Sequence, residues 1–131
     1  MAVTTGKVVT QRMQADIANA QDDIAAAGIE VFAVDGALTK NTGVKVLTKG
    51  SAGAYTLAAP TAAEAGHRLT VINGSAFAHI LTATNLIDDG VTGGAKDTAT
   101  FGAFVGASIE LLAYNLKWTV LAKNVVTVAG A

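Results

Sequence analysis

All but one of the chain's fourteen glycines lie at or after position 28, and from there the sequence breaks into short stretches with turn signals between them. These stretches are rich in Val, Ile, Thr and aromatic residues, and many alternate with period two, the mark of half-buried strands. Strands are expected at residues 30–34, 44–48, 54–58, 68–72, 78–84, 98–104, 108–114, 117–123 and 125–128. Between them stand turn-forming clusters: Asp35-Gly36, Asn41-Thr42-Gly43, Gly50-Ser51-Ala52-Gly53, Asn73-Gly74-Ser75 and Asp88-Asp89-Gly90. No helical pattern of 10–15 residues separates the strands, which argues against a βαβ sheet. The expectation is a mainly β domain over residues 29–131, an antiparallel β-sandwich or barrel.

The clearest local unit is the last hairpin, Ser108–Tyr114 followed by a turn at Asn115-Leu116 and a strand from Lys117. Asn115 accepts a positive φ, but leucine is a poor choice for the second turn position, where glycine is favoured. Trp118 and Val120 share one face of their strand and head the expected core, with Ile109, Leu111, Val71 and Phe101 as neighbours. Pro60, the only proline, marks a loop or short helical turn between two strands.

Residues 1–28 have a different texture. From Val8 to Ala27 there is no Gly or Pro, and Met13, Ile17, Ala20, Ile24 and Ala27 follow a 4-3-4-3 step that lines one side of a helix. Gly28 supplies a stop. Such a helix is marginal alone in water, because nucleation is costly, so it must dock on its own domain, on copies of itself or on a partner. Val8, Val9, Met13, Ile17 and Ile24 are therefore the candidate partner or oligomer contacts, within an N-terminal arm and amphipathic helix.

Composition narrows the function classes. The chain has no cysteine, which excludes a disulfide scaffold and any Cys-based metal or redox site. Nine basic and ten acidic residues give a net charge of −1, with no electrostatic handle for nucleic acid or an acidic membrane. No run of about 18 apolar residues exists for a spanning helix. The N-terminus lacks a basic segment leading into an apolar one, so no signal peptide is expected. Half the residues are apolar, yet only seven are aromatic and 27 are alanine, a surplus of small apolar surface that points to contact between subunits.

No catalytic constellation is apparent. Ser51, Ser75 and Ser108 lie in turns or at a strand start, not on a strand-to-helix elbow. His67 begins a strand; His79 alternates with Ala78 and Ile80 and reads as a structural or surface residue rather than a ligand contact. Asp88, Asp89 and Asp97 flank a Gly-rich loop that resembles a calcium loop, but the ligand spacing fails and no bidentate Glu follows. The plainer reading is a solvated turn. Tyr55 and Tyr114 could stack on sugars if exposed. The expectation is a protein with no enzymatic activity, no cofactor and no metal.

A family resemblance rests on Tyr55-Thr56-Leu57-Ala58-Ala59-Pro60-Thr61, on Gly66-His67-Arg68-Leu69-Thr70-Val71-Ile72-Asn73-Gly74 and on Asp97-Thr98-Ala99-Thr100-Phe101. It continues through Gly106-Ala107-Ser108-Ile109-Glu110-Leu111 and Ala113-Tyr114-Asn115 to Trp118, Val120 and Leu121. Over residues 37–128 the chain resembles small β domains of tailed-bacteriophage virion proteins, of the capsid decoration (cement) or head-fibre type. Leu116, where glycine suits the turn, and the N-terminal helix depart from the pattern. The resemblance implies a homotrimer on the capsid surface, assembled in the host cytoplasm, with the major capsid protein and its own copies as partners. It also implies no enzymatic activity, and the weak charge leads to the expectation of no nucleic acid or membrane partner. The alternative it leaves open is a tail-fibre or head-fibre module that binds a receptor or glycan.

Overall fold

A computed structural model describes residues 29–130, so the arm with Val8, Val9, Met13, Ile17 and Ile24 lies outside the described residues. The described part is mainly β. Its ten strands are β1 (Ile29–Phe32), β2 (Gly36–Ala37), β3 (Gly43–Leu47), β4 (Ala54–Thr56), β5 (Arg68–Asn73), β6 (Ile80–Asp88), β7 (Lys96–Phe101), β8 (Ser108–Tyr114), β9 (Lys117–Asn124) and β10 (Val126–Ala129). One 3-10 turn, Ala62–Glu64, follows Pro60.

Each strand forms where alternation offers one apolar face. In β5, Leu69, Val71 and Asn73 are buried while their neighbours are not; in β8 the buried set is Ile109, Leu111 and Ala113. Leu69, Val71, Ile109, Leu111 and Ala113, together with Leu47, Tyr55, Leu81, Ile87, Phe101 and Trp118, make one core, each large side chain contributing about 1.5–3 kcal/mol by leaving water. Of the expected core residues, Trp118, Ile109, Leu111, Val71 and Phe101 are fully buried. Val120 packs only partly against them, because the register slips between Glu110 and Leu111 and leaves Leu121 as the extra residue on β9.

The strands follow the order β1-β3-β5-β8-β9-β6-β4-β2, and β7 adds to β6 and β10 to β7. The two ends of this path, β1 and β2, are consecutive in the chain, so the sheet curls into a nearly closed barrel. The antiparallel ladder expected throughout holds for four pairings, β5–β8, β8–β9, β6–β7 and β7–β10. Five others are parallel: β1–β3, β3–β5, β2–β4, β4–β6 and β6–β9. The N-terminal half winds as a coil, with β1, β3 and β5 stacked on one side and β2, β4 and β6 on the other. The β8–β9 hairpin then bridges β5 to β6. No helices are needed for these crossovers, because each coil passes from one stack to the other before returning. A bend at Asn85, where φ is 57° and the N–H donates to the Asp97 carboxylate at 2.7 Å, lets the last residues of β6 reach β9.

Candidate functional site

Winding sorts the connections into two ends. At one end lie residues 33–35, 48–53, 74–79, 102–107 and 125, tied together by hydrogen bonds from Thr48 to Phe32, Gly74 to Leu47, Ile80 to Gly53, Phe101 to His79 and Gly102 to Val125. The stretches Gly74-Ser75-Ala76-Phe77-Ala78 and Gly102-Ala103-Phe104-Val105-Gly106-Ala107 contain no charged residue. Phe77, Phe104 and Val105 stand out of them beside Val125, and Phe104 and Val105 are 67% and 71% exposed. The only charged residues in these five connections, Asp35 and Lys49, pair with each other at 2.9 Å.

These exposed side chains rest on a buried polar chain. Asn73, at the end of β5, donates through its amide to the carbonyls of Phe77 (2.7 Å) and Gly102 (2.9 Å), so one side chain holds both apolar loops. Its oxygen accepts the Ser75 N–H at 2.9 Å. Ser75 Oγ then meets His79 Nε2 at 2.7 Å, and His79 Nδ1 accepts the Gly53 N–H at 2.9 Å. A backbone N–H can only donate, so Nδ1 is unprotonated and the neutral ring carries its proton on Nε2, aimed at Ser75. The imidazole therefore cannot take a proton from Ser75, and the pair is no nucleophile and base. Burial pushes the His79 pKa below the ordinary histidine range, the Lys49 ammonium adds to the shift, and Asp35 opposes it. Gly53 is required here: a Cβ would lie 2.6 Å from the Tyr55 ring and 2.8 Å from His79 Nδ1.

The other end gathers residues 38–42, 57–67, 89–95 and 115–116. Trp118 Nε1 donates to the Ala58 carbonyl at 2.9 Å, and the N–H of Gly66 donates to the Ala113 carbonyl at 2.8 Å. His67 Nδ1 lies 2.9 Å from the Lys40 carbonyl, which can only accept. This end is charged. Lys40 pairs with Glu64 at 2.9 Å and Arg68 with Glu110 at 2.7 Å. The Glu64 carboxylate accepts the Thr61 N–H and then faces the Lys40 ammonium, which together draw its pKa down to about 2. A groove of about 290 Å³ opens here between Pro60, Ala62 and Ala65 on one side and Tyr114 and Leu116 on the other.

The two tyrosines separate. Tyr114 is exposed beside this groove, whereas Tyr55 is buried, donates its hydroxyl to the Phe32 carbonyl at 2.9 Å, and packs edge-on against His79. It is unavailable to a sugar. In the Gly-rich loop, Asp89 accepts the N–H of Val91 and Asp97 that of Asn85, and among the described residues no group of three or more His, Asp or Glu side chains could hold a metal ion. Sequence reasoning missed a buried cation. Lys45, on β3, is fully buried and donates to Glu30 at 2.6 Å and to Asn41 at 2.9 Å. Burial alone would raise the Glu30 pKa, but hydrogen bonds from Lys45 and Thr39 outweigh it and hold the carboxyl below its usual range.

No family model matches the chain, and no curated protein matches it. The arrangement of side chains at the two ends is therefore what a functional reading must use.

Proposed function

We propose that this chain is a bacteriophage virion structural protein, a capsid decoration (cement) protein that binds the outer capsid surface as a homotrimer and stabilises the shell. The observation that carries this reading is the apolar end: uncharged loops presenting Phe77, Phe104, Val105 and Val125 from a fully hydrogen-bonded base. A monomer gains nothing from holding such residues rigidly in water, whereas an assembly protein does. The resemblance over residues 37–128 supplies the virion context. The N-terminal arm, with Val8, Val9, Met13, Ile17 and Ile24, is the contact assigned to the shell in this reading. Many modest contacts repeated over a symmetric shell would resist internal pressure without any one of them being strong.

The test is co-sedimentation of the purified protein with undecorated capsids, followed by imaging of the particles. Saturable binding in groups of three, with a raised disruption temperature of the shell, is the expected result. A chain lacking residues 1–28 should keep its β signal by circular dichroism and lose binding; retention of binding would remove the arm from the mechanism.

One observation favours the second reading, a fibre module for a receptor or glycan. Tyr114 stands exposed over the groove with Asn115 and Thr61 as polar neighbours, an aromatic platform with hydrogen-bonding groups at its rim. Glycan-array binding that is lost in Tyr114→Ala would select this reading over decoration.

A further inference from the structure

We propose that copies of this chain associate with one another through the apolar end, with Phe77, Phe104, Val105 and Val125 packed around the symmetry axis. This deepens the homotrimer reading above and rests on it for the number of copies. Three features of this end point to a second copy as the occupant.

The first is charge. Identical patches that meet around an axis place each charge near its own copy, so a patch with net charge repels itself. Here the connections carry only Asp35 and Lys49, which neutralise each other at 2.9 Å, and Lys123 lies at the margin in an adjoining groove of about 480 Å³. The opposite end also exposes apolar side chains, Tyr114 and Leu116, but there the connections and strand ends carry Lys40, Glu64, Arg68 and Glu110.

The second is area. From their fractional exposures, the four side chains with Val34 (71% exposed) and the flanking alanines present on the order of 500 Å² of apolar surface. That lies near the upper limit of what monomers leave in one patch, about 300–600 Å². It also approaches the roughly 800 Å² that each partner contributes to a stable interface.

The third is backbone. Val125 is a β-branched residue held at φ 55°, and its carbonyl accepts the Gly102 N–H. Strain at an exposed valine does nothing for the fold alone, since Asn or Gly would sit there more easily. It does aim an apolar side chain beside Phe104, with Gly102 leaving the room that both need.

The experiment is the mass of the full chain in solution, by light scattering during size exclusion, for wild type, Phe104→Glu, Val105→Glu and a control at the other end, Tyr114→Glu. Phe104 and Val105 are exposed, so their variants should fold, and melting curves verify this; Phe104→Ser serves if Phe104→Glu does not. Wild type and Tyr114→Glu are expected as trimers, and the two end variants as monomers, their dissociation constant raised at least about a hundredfold. A monomeric wild type, or folded end variants that remain trimeric, overturns the proposal. Capsid binding of the same proteins separates the two readings. End variants that stay trimeric but no longer bind capsids would place this end on the shell, overturning the proposal and keeping the decoration reading. Dissociation of the end variants, with no capsid binding even by wild type, would support the interface and sink decoration.

Discussion

The two ends of the barrel are built on the same strands, yet they hold themselves together differently. At the apolar end, a chain of neutral groups runs from the buried Asn73 through the partly buried Ser75 to the buried His79 and Gly53, and no charge is spent on it. At the charged end side chains also tie the connections down, the buried Lys45 to Asn41 and Trp118 to the Ala58 carbonyl, but charge takes part throughout, in Lys45–Glu30 and in the surface ion pairs Lys40–Glu64 and Arg68–Glu110. Exposed ion pairs contribute little, typically under about 1 kcal/mol, because water competes for both partners. Buried neutral networks cost much more to break, since each group left behind has lost water and gained nothing. The lesson is that the end carrying the apolar surface fixes its loops with neutral groups, so that its surface is preformed without charge.

The largest effect follows from this contrast. Asn73→Ala strands the carbonyls of Phe77 and Gly102 and the N–H of Ser75, and should cost about 3 kcal/mol or more in urea unfolding. Arg68→Ala, which removes the 2.7 Å bond to Glu110 from a side chain that is more than half exposed, should cost less than about 1 kcal/mol. Equal losses at the two positions would erase the distinction between the ends.

Acid separates His79 at the apolar end from Glu64 at the charged end by pH window. His79 has a depressed pKa in the folded chain, so the unfolded chain takes up the proton more readily. Its contribution is complete above the ordinary histidine value of about 6.5 and falls away as pH drops below it. Protonation would place a donor at Nδ1 against the Gly53 N–H, and the groups facing the ring, Tyr55, Lys49 and Asp35, supply no net charge to compensate. Glu64 at the other end is drawn down to about 2, so its contribution holds above the usual glutamate range and is lost as pH falls toward that value. Stability measured against pH should therefore decline in two steps. His79→Gln, whose amide can accept from Gly53 and donate to Ser75, should remove the upper step, and Glu64→Gln should weaken the lower. A profile for His79→Gln that keeps the upper step would assign it elsewhere.

The difference between the ends also marks what could be read in the sequence. Strands β3, β5, β8 and β9 were legible because alternation over five or more residues is a local property, and the buried Trp118, Ile109 and Leu111 follow from it. The two-residue β2 was not, because Gly36–Ala37 carries a turn signal and pairs only through β4. Parallel pairing was hidden for a similar reason: Ile29 faces Val44 and Val44 faces Thr70, separations that no local pattern encodes. Lys45 was hidden because both phases of Gly43–Leu47 offer an apolar face, Val44 with Val46 or Leu47, and only Glu30 and Asn41 make the second habitable for an ammonium. Asn73 looked like turn punctuation, and it does end a strand. Its hold on Gly102 spans 29 residues and becomes visible only once β5 and β7 finish at the same end. The Gly-Ala-Phe composition of the two apolar loops was the one signal of the candidate site present in the sequence, and small residues there read equally well as simple turns.

The last expected effect is a gain, and it sharpens the comparison most. Each end holds one bulky apolar residue in the left-handed region, Leu116 at φ 61° and Val125 at φ 55°. Asparagine tolerates this conformation, so Leu116→Asn and Val125→Asn should each stabilise the monomer fold by about 1 kcal/mol through relief of strain. The hydrogen bond from Gly102 to the Val125 carbonyl is a backbone bond and survives the change. Their effects on assembly should differ. Leu116→Asn lies at the charged end and should raise the melting temperature without altering the mass in solution. Val125→Asn removes an apolar contact from the proposed interface, so it should stabilise the dilute chain while loosening the oligomer. Two variants that both gain stability and both leave assembly untouched would show that the strain at Val125 serves the turn alone.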